Sequence, residues 1–275
     1  MSIPRLRWAD AGAIGFLAVV VLLVLVGPLL APFSPIEFDA EHALLPPDFT
    51  YWFGTDEFGR DVFSRVLSGA QPTLLLALAS AVTGVVLGTT TGLIAGYAGG
   101  VADETIMRIM DALMSFPALI LAMLVVVMLG ANPVNVVIAL GIVFWPRSAR
   151  LVRSVVVELA RREFIDAARS RGEAWPYILV RELLPNVRMI VVVDFSLRIT
   201  YGILLSASLA YLGIGVAPPT PAWGLMVRDG QQFLELAPWL VIFPCLAVAL
   251  TAIGTMLVGE RLRRSVAIPG AGRPR

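Results

Sequence analysis

The stretch from Ala112 to Pro146, ALMSFPALILAMLVVVMLGANPVNVVIALGIVFWP, runs without a single Asp, Glu, Lys or Arg. A helix crosses the hydrocarbon core with about 20 apolar residues. This run is therefore too long for one crossing and too short of polar groups for a water-soluble domain. Asn132-Pro133 divides it into two spans joined by a tight turn. Residues 11–36, 66–102 and 236–259 are equally free of charge. The whole chain follows suit, with 58% hydrophobic and 15% charged residues and a mean hydropathy of +0.83. Soluble domains hold about 45–50% apolar and about 25% charged residues. The expectation is an all-α, polytopic membrane protein.

Six spans follow from the pattern. Residues 1–10, with Arg5 and Arg7, precede a first span at 11–31, whose apolar core is too long for a cleaved signal peptide. Residues 32–71 form a loop in which Pro32, Pro35, Pro46 and Pro47 break helix. Short helices near Asp61–Ser68 are compatible with it. Five more spans fill 72–258, the second running from about Pro72 to Tyr97 and the fourth ending near Arg147, Arg150 and Arg153. Residues 154–188 are a charged loop, 212–235 a Gly/Pro-rich loop, and 259–275 a basic tail. Arg60, Arg65 and Arg228 are the only Arg expected on one side of the membrane, and most others fall on the opposite side. The excess of Arg marks the cytoplasmic side, so both termini and 154–188 are expected in the cytoplasm.

Counting by type excludes chemistry. The 21 basic residues are all Arg, so the chain has no lysine and no P-loop of the G-x-x-x-x-G-K-[ST] kind. The single Cys245 forbids an intrachain disulfide, and the single His42 sits in a Pro-flanked loop. A membrane-embedded Ser–His hydrolase lacks its base. No catalytic residue, resident metal site or cofactor site is expected, and no nucleic-acid partner.

Four features stand out. The segment from Glu163 through Asp166, Ala167 and Ala168 to Gly172, then Pro176 and Pro185, reads as helix, sharp turn, helix. Its small Ala167-Ala168 pair suits close approach by a partner's groove, although a solvated amphipathic loop explains the same pattern. Gly84, Gly88, Gly92 and Gly96 recur every four residues. Such a face packs helices closely, within this subunit or between subunits. Asp194 and Arg198 are charges inside a predicted span at i, i+4, suited to pair as a transport-pathway element or as a structural clamp. His42, Trp52 and the acids of 32–61 form either a solvated loop or a contact for a solute-delivering protein.

The spacing of Asp166-Ala167-Ala168, Gly172 and Pro185 resembles the EAA loop of ABC importer permeases. Glu182 departs from that pattern, where an apolar residue or His is usual. The stretches Gly54 to Arg65, Met107 to Pro117 and Leu209 to Gly224 are similar to segments of the dipeptide/oligopeptide/nickel permeases. The long loop after the first span resembles that of their C-type second permease. The resemblance implies the type I importer permease fold with a cytoplasmic coupling-helix loop formed by Glu163, Asp166, Ala167, Ala168, Gly172 and Pro185. It further implies a multi-pass protein of the cytoplasmic (inner) membrane, within the lipid bilayer. Its partners would be a homologous second permease in a heterodimer, two ATPase domains or subunits carrying ATP and Mg, and an extracytoplasmic solute-binding protein. Di- or oligopeptides are the expected cargo, with nickel or haem as alternatives. A secondary transporter independent of ATPases is the rival class; inverted repeats would mark it, and none is evident.

Overall fold

The computed structural model describes residues 26–266 and, ahead of them, residues 15, 16, 20, 22 and 24. The expected N-terminal segment 1–10 and tail residues 267–275 lie outside the described residues, as does most of the first span. Eight α-helices follow loop 32–61: α1 Val62–Ala98, α2 Gly100–Met114, α3 Ala118–Leu129, α4 Pro133–Leu159, α5 Glu163–Ser170, α6 Trp175–Tyr211, α7 Trp223–Gly230 and α8 Trp239–Val266. Among the described residues there is no strand, only an isolated bridge between Thr55 and Asp61. Among the described residues, four helices, α1, α4, α6 and α8, are long and apolar enough to cross a membrane, and the bent pair α2–α3 makes a fifth if it counts as one span.

Helix α1 starts ten residues earlier than the span expected from about Pro72. Asp61 caps it, its side chain accepting from the Ser64 amide at 2.8 Å. The short helices expected near Asp61–Ser68 are its first turns, and Pro72 lies inside it. At 37 residues α1 extends about 55 Å. The third span differs more. It is not one straight rod, because α2 and α3 meet at 92° around Ser115–Pro117. Pro117 stands extended at φ −55°, ψ 135°, and the residue before a proline resists the helical region. Helix α4 continues to Leu159, past the Arg residues expected to end it.

The second helix of the expected helix–turn–helix does not end near Pro185: α6 is continuous from Trp175 to Tyr211, with its backbone ladder disturbed just before the proline. A wide π-type turn over Ile178–Leu183 precedes the proline, with the Leu184 amide bonded to the Leu179 carbonyl. The Asn186 side chain donates to the Glu182 carbonyl at 2.6 Å, satisfying an acceptor in the disturbed turn. The Gly/Pro-rich loop 212–235 also holds a buried helix, α7. Its Trp223 is 1% exposed and donates from Nε1 to the Val66 carbonyl at 2.8 Å.

The core is a seam between α1 and α4. A Cβ on Gly84 would lie 2.5 Å from Cβ of Phe144, and one on Gly92 would lie 2.6 Å from the Ala149 carbonyl. Gly88 faces Ser148 and Gly96 faces Val156 in the same way. The four-residue glycine recurrence therefore packs within this subunit. Helix α2 is held to α4 by Arg153, whose Nε and Nη2 each lie 2.5 Å from Asp103, and by the Arg150–Asp111 pair.

This seam leaves no room for a methyl group. Gly88→Ala is expected to destabilise the purified protein by about 1–3 kcal/mol, the usual penalty of an overpacked interior. Val86→Leu on the exposed face of the same helix, where Val86 is 58% exposed, should be close to neutral. Thermal unfolding in one detergent compares the two directly.

Candidate functional site: the α5 hairpin and the buried charge junction

Helix α5 and the turn after it join α4 to α6 at the end of the bundle opposite loop 32–61. Its sequence divides cleanly. Ile165 and Ala168 are fully buried against Leu93, Val152, Val156, Ile178, Leu183 and Val187. Glu163, Asp166 and Ala167 are exposed on the other face. The small pair is thus split: Ala168 permits close seating on the subunit, while Ala167 presents a bare methyl outward.

Gly172 ends the helix in the left-handed region at φ +77°. Its amide donates to the Arg169 carbonyl at 2.9 Å, and the Glu173 amide donates to the Ala168 carbonyl at 3.2 Å. These two bonds make a Schellman cap, which satisfies carbonyls that a helix end leaves open. Open space surrounds the position where a Gly172 side chain would stand, so the demand for glycine comes from the backbone. Trp175 and Pro176 then open α6. Glu182, the departure from the EAA pattern, lies 3.5 Å from Arg171, and Glu173 lies 3.7 Å from the same guanidinium. The Arg171–Glu182 pair fastens the turn to α6, weakly, since these side chains remain partly in solvent. Pro185 is not part of the hairpin; it sits ten residues along α6, about 15 Å from its start.

Asp194 and Arg198 do pair. Arg198 donates to Asp194 Oδ1 from Nε at 3.1 Å and from Nη2 at 2.7 Å. The residues are 1% and 7% exposed. The structure adds a third member that the sequence reading missed: Ser148 of α4, fully buried, donates from Oγ to Asp194 Oδ2 at 2.5 Å. The Arg198 guanidinium stands 6.0 Å from the Phe144 ring centroid. Ser148 and Phe144 are the residues that face Gly88 and Gly84. Three helices, α1, α4 and α6, therefore meet at one buried polar point. The only trace of Ser148 in the sequence is its place just after the charge-free run, one helical turn beyond Phe144. His42 and Trp52 lie far along the chain in the loop at the opposite end, with His42 Nδ1 2.7 Å from Asp39.

Residues 88–268 match the family described as the binding-protein-dependent transport system inner membrane component. The chain belongs to that family. Among its relatives, the dipeptide transport system permease protein DppC of Alkalihalophilus pseudofirmus is 39% identical over 88% of this chain and 80% of its own length. The glutathione transport system permease protein GsiD of Pectobacterium atrosepticum is 42% identical over 82% of this chain and 75% of its own. The fold matches a chain of the MetNI methionine ABC transporter in its inward-facing conformations, with a TM-score of 0.60 and 19% identity. That match covers 74% of this chain and 97% of the other. The permease is thus an inner membrane transport component with the importer fold, and not an enzyme.

The buried junction has a clear mutational signature. Arg198→Met leaves the Asp194 carboxylate buried with only Ser148, and losing one partner of a buried ion pair typically destabilises by about 3–5 kcal/mol. Asp194→Asn combined with Arg198→Met removes both charges and should recover most of that loss. The checking measurement is the thermal midpoint of the permease with each change alone and with both.

Proposed function

We propose that this permease is the C-type second subunit of an ATP-driven importer for di- or oligopeptides, with both termini and α5 on the cytoplasmic side. Peptide cargo is favoured by its relatives, named for dipeptide and glutathione transport, because glutathione is itself a small peptide. A homologous permease would complete the pathway, two ATPase subunits would hold ATP and Mg, and a solute-binding protein would deliver cargo from outside. The chain's own lack of lysine leaves it no P-loop, so hydrolysis belongs to the partners.

The observation that carries the coupling role is the division of α5. One face is cemented to the core through Ile165 and Ala168, and the other offers Glu163, Asp166 and Ala167. A helix seated this way transmits a push rather than absorbing it. The two helices that α5 connects, α4 and α6, are joined again by Ser148 and Asp194. A displacement of α5 by an ATPase would therefore move both as one body. In this reading Asp194 and Arg198 are a clamp and not a station for cargo, since Asp194 is fully enclosed and already accepts three hydrogen bonds.

Proteoliposomes holding both permeases and the ATPases, with the binding protein and a labelled dipeptide supplied from its side, test the reading. Uptake should require ATP, and unlabelled di- and oligopeptides should compete with the label more strongly than nickel or haem. Ala167→Arg places a long cation on the exposed face and should abolish uptake while leaving membrane insertion intact. Uptake that persists without ATPases would favour a secondary transporter. Competition by nickel or haem alone would reassign the cargo.

A further inference from the structure

Helix α2 buries little of its own surface. Met110 is the one buried residue among its 15, while Val101 and Ile109 are 82% and 52% exposed. Apolar packing therefore does not hold it in place; charge does. Arg153 of α4 grips Asp103 with both Nε and Nη2, and Arg150 of α4 pairs with Asp111. Asp103 and Asp111 stand eight residues apart, about 12 Å along α2, whereas the two Arg are three residues apart, about 4.5 Å along α4. The arginines thus fan out from one turn of α4 and seize α2 at two separated points. One ion pair fixes a distance; two at separate points fix an orientation. The fork on Asp103, whose side chain is 13% exposed, is the firmer, and the Arg150–Asp111 pair is half-exposed.

The two ends of α2 suit it to pass motion on. Towards α1 it is joined by Gly99 and Gly100, at φ +63° and +54°, with open space where side chains would stand, so no packing stiffens that link. Towards α3 it meets the next helix at 92°. Helix α3 is seated by Leu121, Ala122 and Val126, buried in a cluster with Val136 and Leu140 of α4. Its first turn, beside the elbow, contributes Leu119 to a cavity of about 520 Å³ shared with Leu204 and Tyr211 of α6 and Cys245 of α8. Where α2 holds the elbow therefore sets how that turn stands against the cavity. At the other end of this chain of contacts, Arg150 and Arg153 lie in the last ten residues of α4, just before α5.

Resting on the importer reading above, we propose that Asp103 and Asp111 are positioning residues of the transport cycle: through them α4 drives α2 as a lever, and the first turn of α3 shifts against the cavity it lines. Motion of α5 then has two outputs. One passes through Ser148 and Asp194 into α6, the other through Arg150 and Arg153 into α3, so two walls of one cavity move together. The rival role for the same ion pairs is a static brace. Apolar packing along α2 would serve a brace, whereas a two-point charged grip beside an unpacked link hands on rotation while keeping contact.

The test uses proteoliposomes holding both permeases and the ATPases, with the binding protein supplied, and reads labelled dipeptide taken up per ATP hydrolysed. Asp103→Asn and Arg153→Met are each expected to lower that ratio about fivefold, within the range for substitutions along a coupling route, while assembly and ATP hydrolysis persist. Asp111→Asn, at the half-exposed point, disturbs folding least and should shift the ratio in the same direction. Reversing the pair, with Asp103→Arg and Arg153→Asp together, should recover most of the coupling. Arg108→Ala removes a charge whose partner, Glu104 at 3.7 Å, lies on α2 itself, and should leave the ratio unchanged. An unchanged ratio in Asp103→Asn, Arg153→Met and Asp111→Asn would overturn the proposal. So would uptake and hydrolysis falling in proportion with a lowered thermal midpoint, which marks a brace. If the wild-type complex takes up peptide without its ATPases, the importer reading itself fails.

Discussion

The close approach of α1 and α4 is the constraint on which the other contacts depend. In a lipid environment helices gain little from hiding apolar surface, because the tails are as apolar as the side chains. Contact distance then decides association, and Gly84, Gly88, Gly92 and Gly96 let two backbones meet without intervening side chains. The seam also sets positions. With Gly88 pressed against it, Ser148 is held with its hydroxyl towards α6, where Asp194 accepts it.

That geometry makes an otherwise unfavourable group tolerable. A carboxylate at the centre of a membrane span is disfavoured by several kcal/mol on any scale. Here Asp194 is matched by a bidentate guanidinium and a hydroxyl from a second helix. Such a cluster adds little net stability over an apolar replacement. What it adds is register: only one sliding and rotational setting of α6 against α4 satisfies all three groups. The helices that enter and leave α5 are thereby locked at mid-length, and the Schellman cap at Gly172 locks them again at the end. At the far end, Trp223 of α7 and Arg65 of α1 hold the connecting loops to the same helices.

Among the described residues, the long spans α1, α4, α6 and α8 were legible because hydropathy is a property of whole windows, and Gly172 because a left-handed cap needs glycine. The EAA spacing located the hairpin, and the i, i+4 spacing paired Asp194 with Arg198. What escaped depended on single local bonds or on distant partners. The start of α1 turns on one carboxylate, Asp61, reading as loop until its cap is seen. Pro185 looks like a helix stop unless the preceding π-type turn is known. Helix α7 hides among Gly and Pro because Trp223 is stabilised by α1, roughly 150 residues away in sequence. Ser148 carried no signal of its own; its role exists only where α4 meets α6.

The central claim is that α5 transmits an ATPase's motion through one defined face. Single cysteines at Ala167, exposed, and at Ala168, buried, in a Cys245→Ser background separate that face from its back. Cross-linking in the assembled complex with a short bifunctional reagent reads which face meets the ATPase. The account predicts that Ala167→Cys captures the ATPase subunit, with a yield that changes between nucleotide-free and ATP-bound states, and that Ala168→Cys does not. Equal capture from both positions, or none from Ala167→Cys in a complex that transports normally, would contradict it.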